Sequence, residues 1–169
     1  NYLQEAIIKQ KKLKNLNIEW HFVGSIQSNK TREIAKNFNY VHSVDRIKIA
    51  ARLNAHREGQ KVALNVLVQI RDSESKKNGV PLDKSCRFFQ AFKEFNNLRL
   101  RGLMYFPDAG KTDQQSIYDY QKVADLLTEI ESGDTLSMGT SDDYPLAIQS
   151  GATMIRIGTE LFGSRNYRS

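Results

Sequence analysis

The sequence predicts an α/β fold, a (β/α)8 TIM-like barrel of which the chain supplies all but about the first two strands. Three observations carry this expectation. Short apolar runs alternate with longer stretches of helical spacing, the pattern of a parallel sheet covered by helices. The run Leu64–Ile70 is nearly continuous and rich in β-branched residues, as in a strand buried on both faces. Glycine and hydroxyl residues gather after the last two strands, at Ser137–Ser141 and Arg156–Thr159, where barrels of this class grip phosphate. An open doubly wound sheet is the rival architecture. It expects G-x-G-x-x-G after its first strand, whereas the first strand here runs into Gly24-Ser25-Ile26-Gln27-Ser28-Asn29.

The elements follow in order. Residues 2–16 have the spacing of a helix, with Leu3, Ala6, Ile7, Leu13 and Leu16 as its apolar stripe. Glu19–Val23 is a strand ended by Gly24, and Ser28 or Asn29 can cap a helix running to about Asn37. Tyr40–Ser43 is the next strand. Asp45 is placed to cap the helix Arg46–Arg57, with Val44 and Ile49 spaced as a hydrophobic staple. After Leu64–Ile70 comes a polar loop, RDSESKKNGVP, and then a helix over Leu82–Phe95 whose phenylalanines suit packing. Leu98–Met104 is a strand and 113–131 a helix, with Ile117, Tyr120, Val123, Ala124, Leu127 and Ile130 at a 3–4 spacing. Thr135–Ser137 is a short strand. Asp142–Ser150 is a helix capped by Ser141, with Pro145 tolerated near its first turn and Gly151 stopping it. Met154–Ile157 is the last strand, and Gly158 opens a final turn.

Composition fits one soluble domain over 1–169 and excludes several classes. No stretch approaches the ~20 apolar residues of a membrane helix, and the polar start NYLQEAIIKQKKLKNL has no signal-peptide core. A single cysteine, Cys86, excludes a disulfide framework or a cysteine zinc cluster, which suits the cytoplasm. The net charge of +6 could serve a nucleic acid, but the basic residues are scattered over helix-compatible positions, so solvated faces are the expectation. The chain opens on Asn1, not Met.

Two segments can carry chemistry. Leu136–Ser141 leaves a strand and enters a helix, offering backbone amides, hydroxyls and a helix N-terminus to an anion; alternatively Ser141 is a plain cap. In Arg156-Ile157-Gly158-Thr159, Gly158 allows close backbone approach and Thr159 adds a hydroxyl. Both segments at the ends of consecutive strands point to phosphate. Arg156, between two isoleucines, must find acceptors, either an acidic partner or a ligand at the barrel mouth. His21 alternates with Trp20 and Phe22 and faces the barrel interior, as a structural or a functional group. No metal spacing, Ser/His/Asp order or paired carboxylates stand out.

The segments WHFVGSIQSNK (20–30), VHSVDR (41–46), LNVLVQI (64–70), LRGLM (100–104), LSMGTSDD (136–143) and RIGTELFGSRNY (156–167) together resemble the YggS/PROSC family of pyridoxal phosphate homeostasis proteins. They occur in the family's order and span nearly the whole chain. The resemblance implies a single-domain barrel of the alanine racemase N-terminal-domain type. It implies bound pyridoxal 5′-phosphate (PLP) without established turnover, a monomer, and a role in balancing vitamin B6 and amino-acid pools, with PLP-dependent apoenzymes as possible recipients. No nucleic-acid or membrane partner is implied.

Carried over by motif, Ser141, Gly158 and Thr159 resemble the phosphate grip, Arg156 the arginine facing the pyridine nitrogen, and Met138 a residue lining the ring. Asn1 resembles the asparagine of the family's FGEN-Y segment near the cofactor, and His21 matches the histidine of its W/IHFIG strand. Thr140 departs from the family's usual methionine. The family's Schiff-base lysine precedes FGEN, so the resemblance places it upstream of this sequence, and the chain is expected to be an N-terminally truncated piece. The same fold serves amino-acid racemases, which also pair an arginine with the ring nitrogen, so a racemase-like enzyme is the alternative.

Overall fold

A computed structural model describes residues 2–131 and 133–163. All strand pairs are parallel. The central strand β3 (Leu64–Arg71) shows why: its apolar residues alternate too little to leave a wet face, and it is buried along nearly its whole length. Around it the sheet runs β1 (His21–Phe22), β2 (Tyr40–Val44), β3, β5 (Leu98–Tyr105), β6 (Thr135–Thr140) and β7 (Met154–Arg156). A two-residue strand, β4 (Val80–Pro81), pairs with Ile70 and Arg71 at the end of β3, beyond the register of β2. The polar loop expected between Arg71 and Pro81 therefore contains a strand. Arg71 ties that loop, donating to the carbonyls of Asp72, Ser73, Ser75 and Gly79.

Helices α1 (Leu3–Lys12), α2 (Thr31–Asn37), α3 (Ile47–Arg57), α4 (Ser85–Gln90), α5 (Asp113–Leu126), α6 (Tyr144–Gln149) and α7 (Thr159–Phe162) connect the strands. Helix α1 ends earlier than its spacing suggests. Only Leu3 of the anticipated stripe is fully buried, while Leu13 and Leu16 are exposed. The span 82–95 is not one helix but α4 between two 3-10 turns. Asp45 does not cap α3. The chain stays extended through Arg46, and the Asp45 carboxylate pairs with Arg46 Nε at 2.9 Å, which moves Val44 and Ile49 out of staple register although both are buried. Helix α5 is capped by Thr112, whose hydroxyl accepts from the Gln115 amide while Gln115 Oε1 accepts from the Thr112 amide.

The apolar cluster lies between sheet and helices. Val66, Val68 and Ile70 of β3, Leu103 of β5, and Leu136 and Met138 of β6 pack there with Leu53, Tyr120, Val123 and Ala147. The other face of the strands carries polar and aromatic side chains, among them Tyr40, His42 and Ser137. Two glycines permit this packing. A Cβ on Gly102 would lie 1.9 Å from the Thr135 carbonyl oxygen, so β5 and β6 approach only because none is present. Gly139, at φ +86°, would meet Ala147 Cβ at 2.7 Å and lets α6 fold back on β6.

Candidate functional site

The site grows from the C-terminal ends of β5, β6 and β7. Arg156, the last residue of β7, turns its guanidinium across the polar face. Its Nη1 donates to the Ser137 carbonyl at 2.5 Å and to Ser137 Oγ at 2.8 Å, and Nη2 donates to the Tyr105 carbonyl at 3.1 Å. The Phe106 ring covers the cation at 4.0 Å. Its Nε is buried and has no acceptor among the described residues. Burial pulls the guanidinium down to about 10, which leaves it charged at neutral pH. The sequence left open an acidic partner or a ligand; the described partners are two carbonyls and a hydroxyl, and the buried Nε hydrogen has none among the described residues.

Ser141 lies between the two phosphate-type segments. The amides of Gly158 and Glu160 point at its Oγ, at 3.3 and 3.5 Å. The space a side chain would take at Gly158 is open to 4 Å, and both Gly158 and Thr159 are exposed. Ser141 does not cap α6 as expected. The helix starts at Tyr144, and Asp143 folds its carboxylate back onto the Thr140 amide at 2.6 Å and the Thr140 hydroxyl at 2.9 Å. Burial pushes that carboxyl up, but hydrogen bonds from Tyr120 and Thr140 outweigh it and hold Asp143 below its ordinary value. The turn is thus fixed by Asp143, and the Ser141 hydroxyl is left to face the β7 loop.

His21 lies on the same polar face, stacked on Tyr40 with ring centroids 4.5 Å apart. Its Nδ1 is 2.8 Å from His42 Nε2, and His42 Nδ1 is 2.9 Å from Ser137 Oγ. Burial, with the neighbouring His21 and Arg156 charges, pushes His42 down to about 3, so it is neutral at physiological pH. The structure thus joins His21 to Arg156 through His42, which sequence reasoning passed over, and Ser137, which it read only as the start of a phosphate-type segment. A signal existed for His42: His21 pairs with Tyr40 in register, so alternation puts the residue two beyond Tyr40 on the same face. Tyr105 and Phe106 carried none. Met138 is elsewhere, fully buried in the apolar cluster on the opposite face of β6 from Ser137, so it backs the strand and does not line the polar face. Asn1 lies outside the described residues.

Fold and site together define a class: part of a parallel barrel whose strand ends gather backbone amides, hydroxyls and a clamped arginine. A family model for the alanine racemase N-terminal domain matches residues 1–166. The chain is 48% identical over 169 residues to a pyridoxal phosphate homeostasis protein of Pseudomonas aeruginosa, an alignment covering 99% of this chain and 74% of that protein. It is 42% identical over 176 residues to the protein of that name from Escherichia coli, covering 99% and 75%. PipY of Synechococcus elongatus, solved with PLP bound, superposes with a TM-score of 0.87 at 32% identity over 96% of this chain and 79% of that one. Alanine racemase of Corynebacterium glutamicum, at 16% identity and a TM-score of 0.68 over 97% and 46% of the two chains, shares the fold. The chain belongs to the alanine racemase N-terminal domain family, among its pyridoxal phosphate homeostasis proteins.

Proposed function

We propose that this protein binds pyridoxal 5′-phosphate at the C-terminal ends of β6 and β7 and acts in PLP and amino-acid homeostasis without turning substrate over. The observation that carries the reading is the bare Nε of Arg156. A guanidinium clamped by two carbonyls, a hydroxyl and an aromatic ring keeps one buried hydrogen for an acceptor. A pyridine nitrogen supplies that acceptor. Ser141, Gly158 and Thr159 take the phosphate, with the Gly158 and Glu160 amides already converging on the Ser141 hydroxyl. His21 supports the ring end of the site through His42, and Met138 holds β6 from behind. The names of the relatives and the PLP-bound PipY structure support the same cofactor.

The group supplies, when bound, an aldehyde and an electron-withdrawing ring. The residues here restrain that chemistry. A charged Arg156 at the ring nitrogen disfavours its protonation, and an unprotonated ring is the weaker electron sink. This weakens carbanion chemistry but does not by itself separate the protein from racemases, which pair an arginine with the same nitrogen. We place the protein in the cytoplasm as a monomer that passes PLP to apoenzymes; among the described residues no helix is long and apolar enough to cross a membrane. Equilibrium dialysis with PLP tests the site: Arg156→Ala and Thr159→Ala should each weaken binding by about tenfold or more. Unchanged affinity in both would overturn it. Chiral chromatography after incubating the loaded protein with several amino acids should show no sustained turnover.

A further inference from the structure

A run of polar groups crosses the inner face of the sheet, and the cofactor reading uses only its two histidines and its arginine. Arg156 Nη1 donates to Ser137 Oγ at 2.8 Å, and the same hydroxyl is 2.9 Å from His42 Nδ1. His42 Nε2 is 2.8 Å from His21 Nδ1, and His21 Nε2 is 3.3 Å from the Glu19 carboxylate. With both imidazoles neutral, the carboxylate end fixes the direction of every bond back to the arginine. A guanidinium only donates, and an ionised carboxylate only accepts. Ser137 Oγ, having accepted from Arg156, places its own hydrogen on His42 Nδ1. His42 then carries its hydrogen on Nε2 and donates it to His21 Nδ1, and His21 donates its Nε2–H to Glu19. The opposite tautomers would leave the Ser137 hydrogen without this acceptor and set a bare His21 nitrogen against a carboxylate.

We propose that Ser137 and His42 are positioning residues for Arg156, held by this one-way relay from Arg156 to Glu19. Its role is to keep the guanidinium oriented so that its free Nε–H meets an unprotonated ring nitrogen. The site thereby selects a phosphorylated heteroaromatic ring over one with a C–H at that position. The relay spans β1, β2, β6 and β7, so the orientation of the arginine depends on four strands and not on β7 alone. The backbone carbonyls of Ser137 and Tyr105 fix the height of the guanidinium, and the Ser137 hydroxyl fixes its rotation. This inference takes the identity of the ring from the cofactor reading above, but the relay itself is a property of the unliganded protein.

Two measurements test it. In unliganded protein, nitrogen-15 histidine NMR at about pH 8 should show hydrogen on Nε2 of both His42 and His21. Hydrogen on Nδ1 of His42 would overturn the relay. The second measurement compares binding of PLP with binding of its carbocyclic analogue, in which a C–H replaces the ring nitrogen. Ser137→Ala should weaken PLP by about tenfold and the analogue by less than about twofold. Ser137→Thr, which keeps the hydroxyl, should restore PLP affinity. Equal losses for both ligands would mean that Ser137 only holds the fold, and the positioning role would fall. If the native protein bound neither ligand, the cofactor reading would fall with it, while the histidine tautomers would still decide whether the relay exists.

Discussion

His42 shows how a residue can be visible in the sequence and still unreadable. It lies in a short strand between Val41 and Ser43, and nothing in its own segment says that it meets a serine ninety-five positions away. The structure makes it a buried neutral imidazole with a partner on each nitrogen. Its folded-state value is depressed from 6.5 to about 3, so the native state binds fewer protons than the unfolded chain over that window. The contribution of His42 is therefore fully present above pH 6.5 and lost as pH falls towards 3. Stability should drop by up to about 1.4 kcal/mol per pH unit in that window, read from urea midpoints at successive pH values. His42→Asn should flatten this slope. Arg156 was legible as a candidate because an arginine between isoleucines needs acceptors. Which acceptors it has, and that its Nε has none, depended on the Ser137 and Tyr105 carbonyls and the Phe106 ring, all brought in by other strands.

Secondary-structure elements were legible where their signal is local. The apolar run of β3 and the 3–4 spacing of α5 are properties of contiguous sequence; β3 formed close to its expected bounds, and α5 began where expected but passes into a 3-10 turn at Leu127–Glu129. Ends that depend on partners were not. Asp45 was expected as a cap, but its carboxylate pairs with the adjacent arginine; Ser141 was expected as a cap, but Asp143 claims the turn by binding back to Thr140. Strand β4 exists only because the end of β3 offers an unpaired edge. The box at Thr112 is local and should behave so: Thr112→Ala should lower stability by about 1 kcal/mol in a denaturant titration. Gly102 is the opposite case. Its sequence neighbours give no hint that the Thr135 carbonyl fills the space of its missing Cβ, at 1.9 Å. Gly102→Ala must push β5 and β6 apart, and we expect a loss on the order of 3 kcal/mol or more, seen as a lowered melting temperature or as insoluble protein.

Across the whole molecule, the parallel sheet gives the interior its gradient. Strand β3 pairs with β2, β4 and β5, whereas β1 and β7 each have one described partner. Amide hydrogen exchange should therefore be slowest in β3 and β5 and fastest in β1 and β7; the reverse order would contradict this sheet order. The site lies towards the faster-exchanging side, since Arg156 belongs to β7, so ligand binding should slow exchange most in β7 and its following turn. The sequence by itself determined the fold class and the order of the six main strands with their helices, and it singled out Ser137–Ser141 and Arg156–Thr159 as candidates. Those follow from hydrophobic period and from residue types, which act over a few neighbours. Only the tertiary structure decided that Met138 backs its strand, that Ser141 faces the β7 loop, and that Arg156 is tied to Glu19 through Ser137, His42 and His21. Those facts turn on strand register and on which face each side chain takes, and register is set by pairing between segments far apart in the chain.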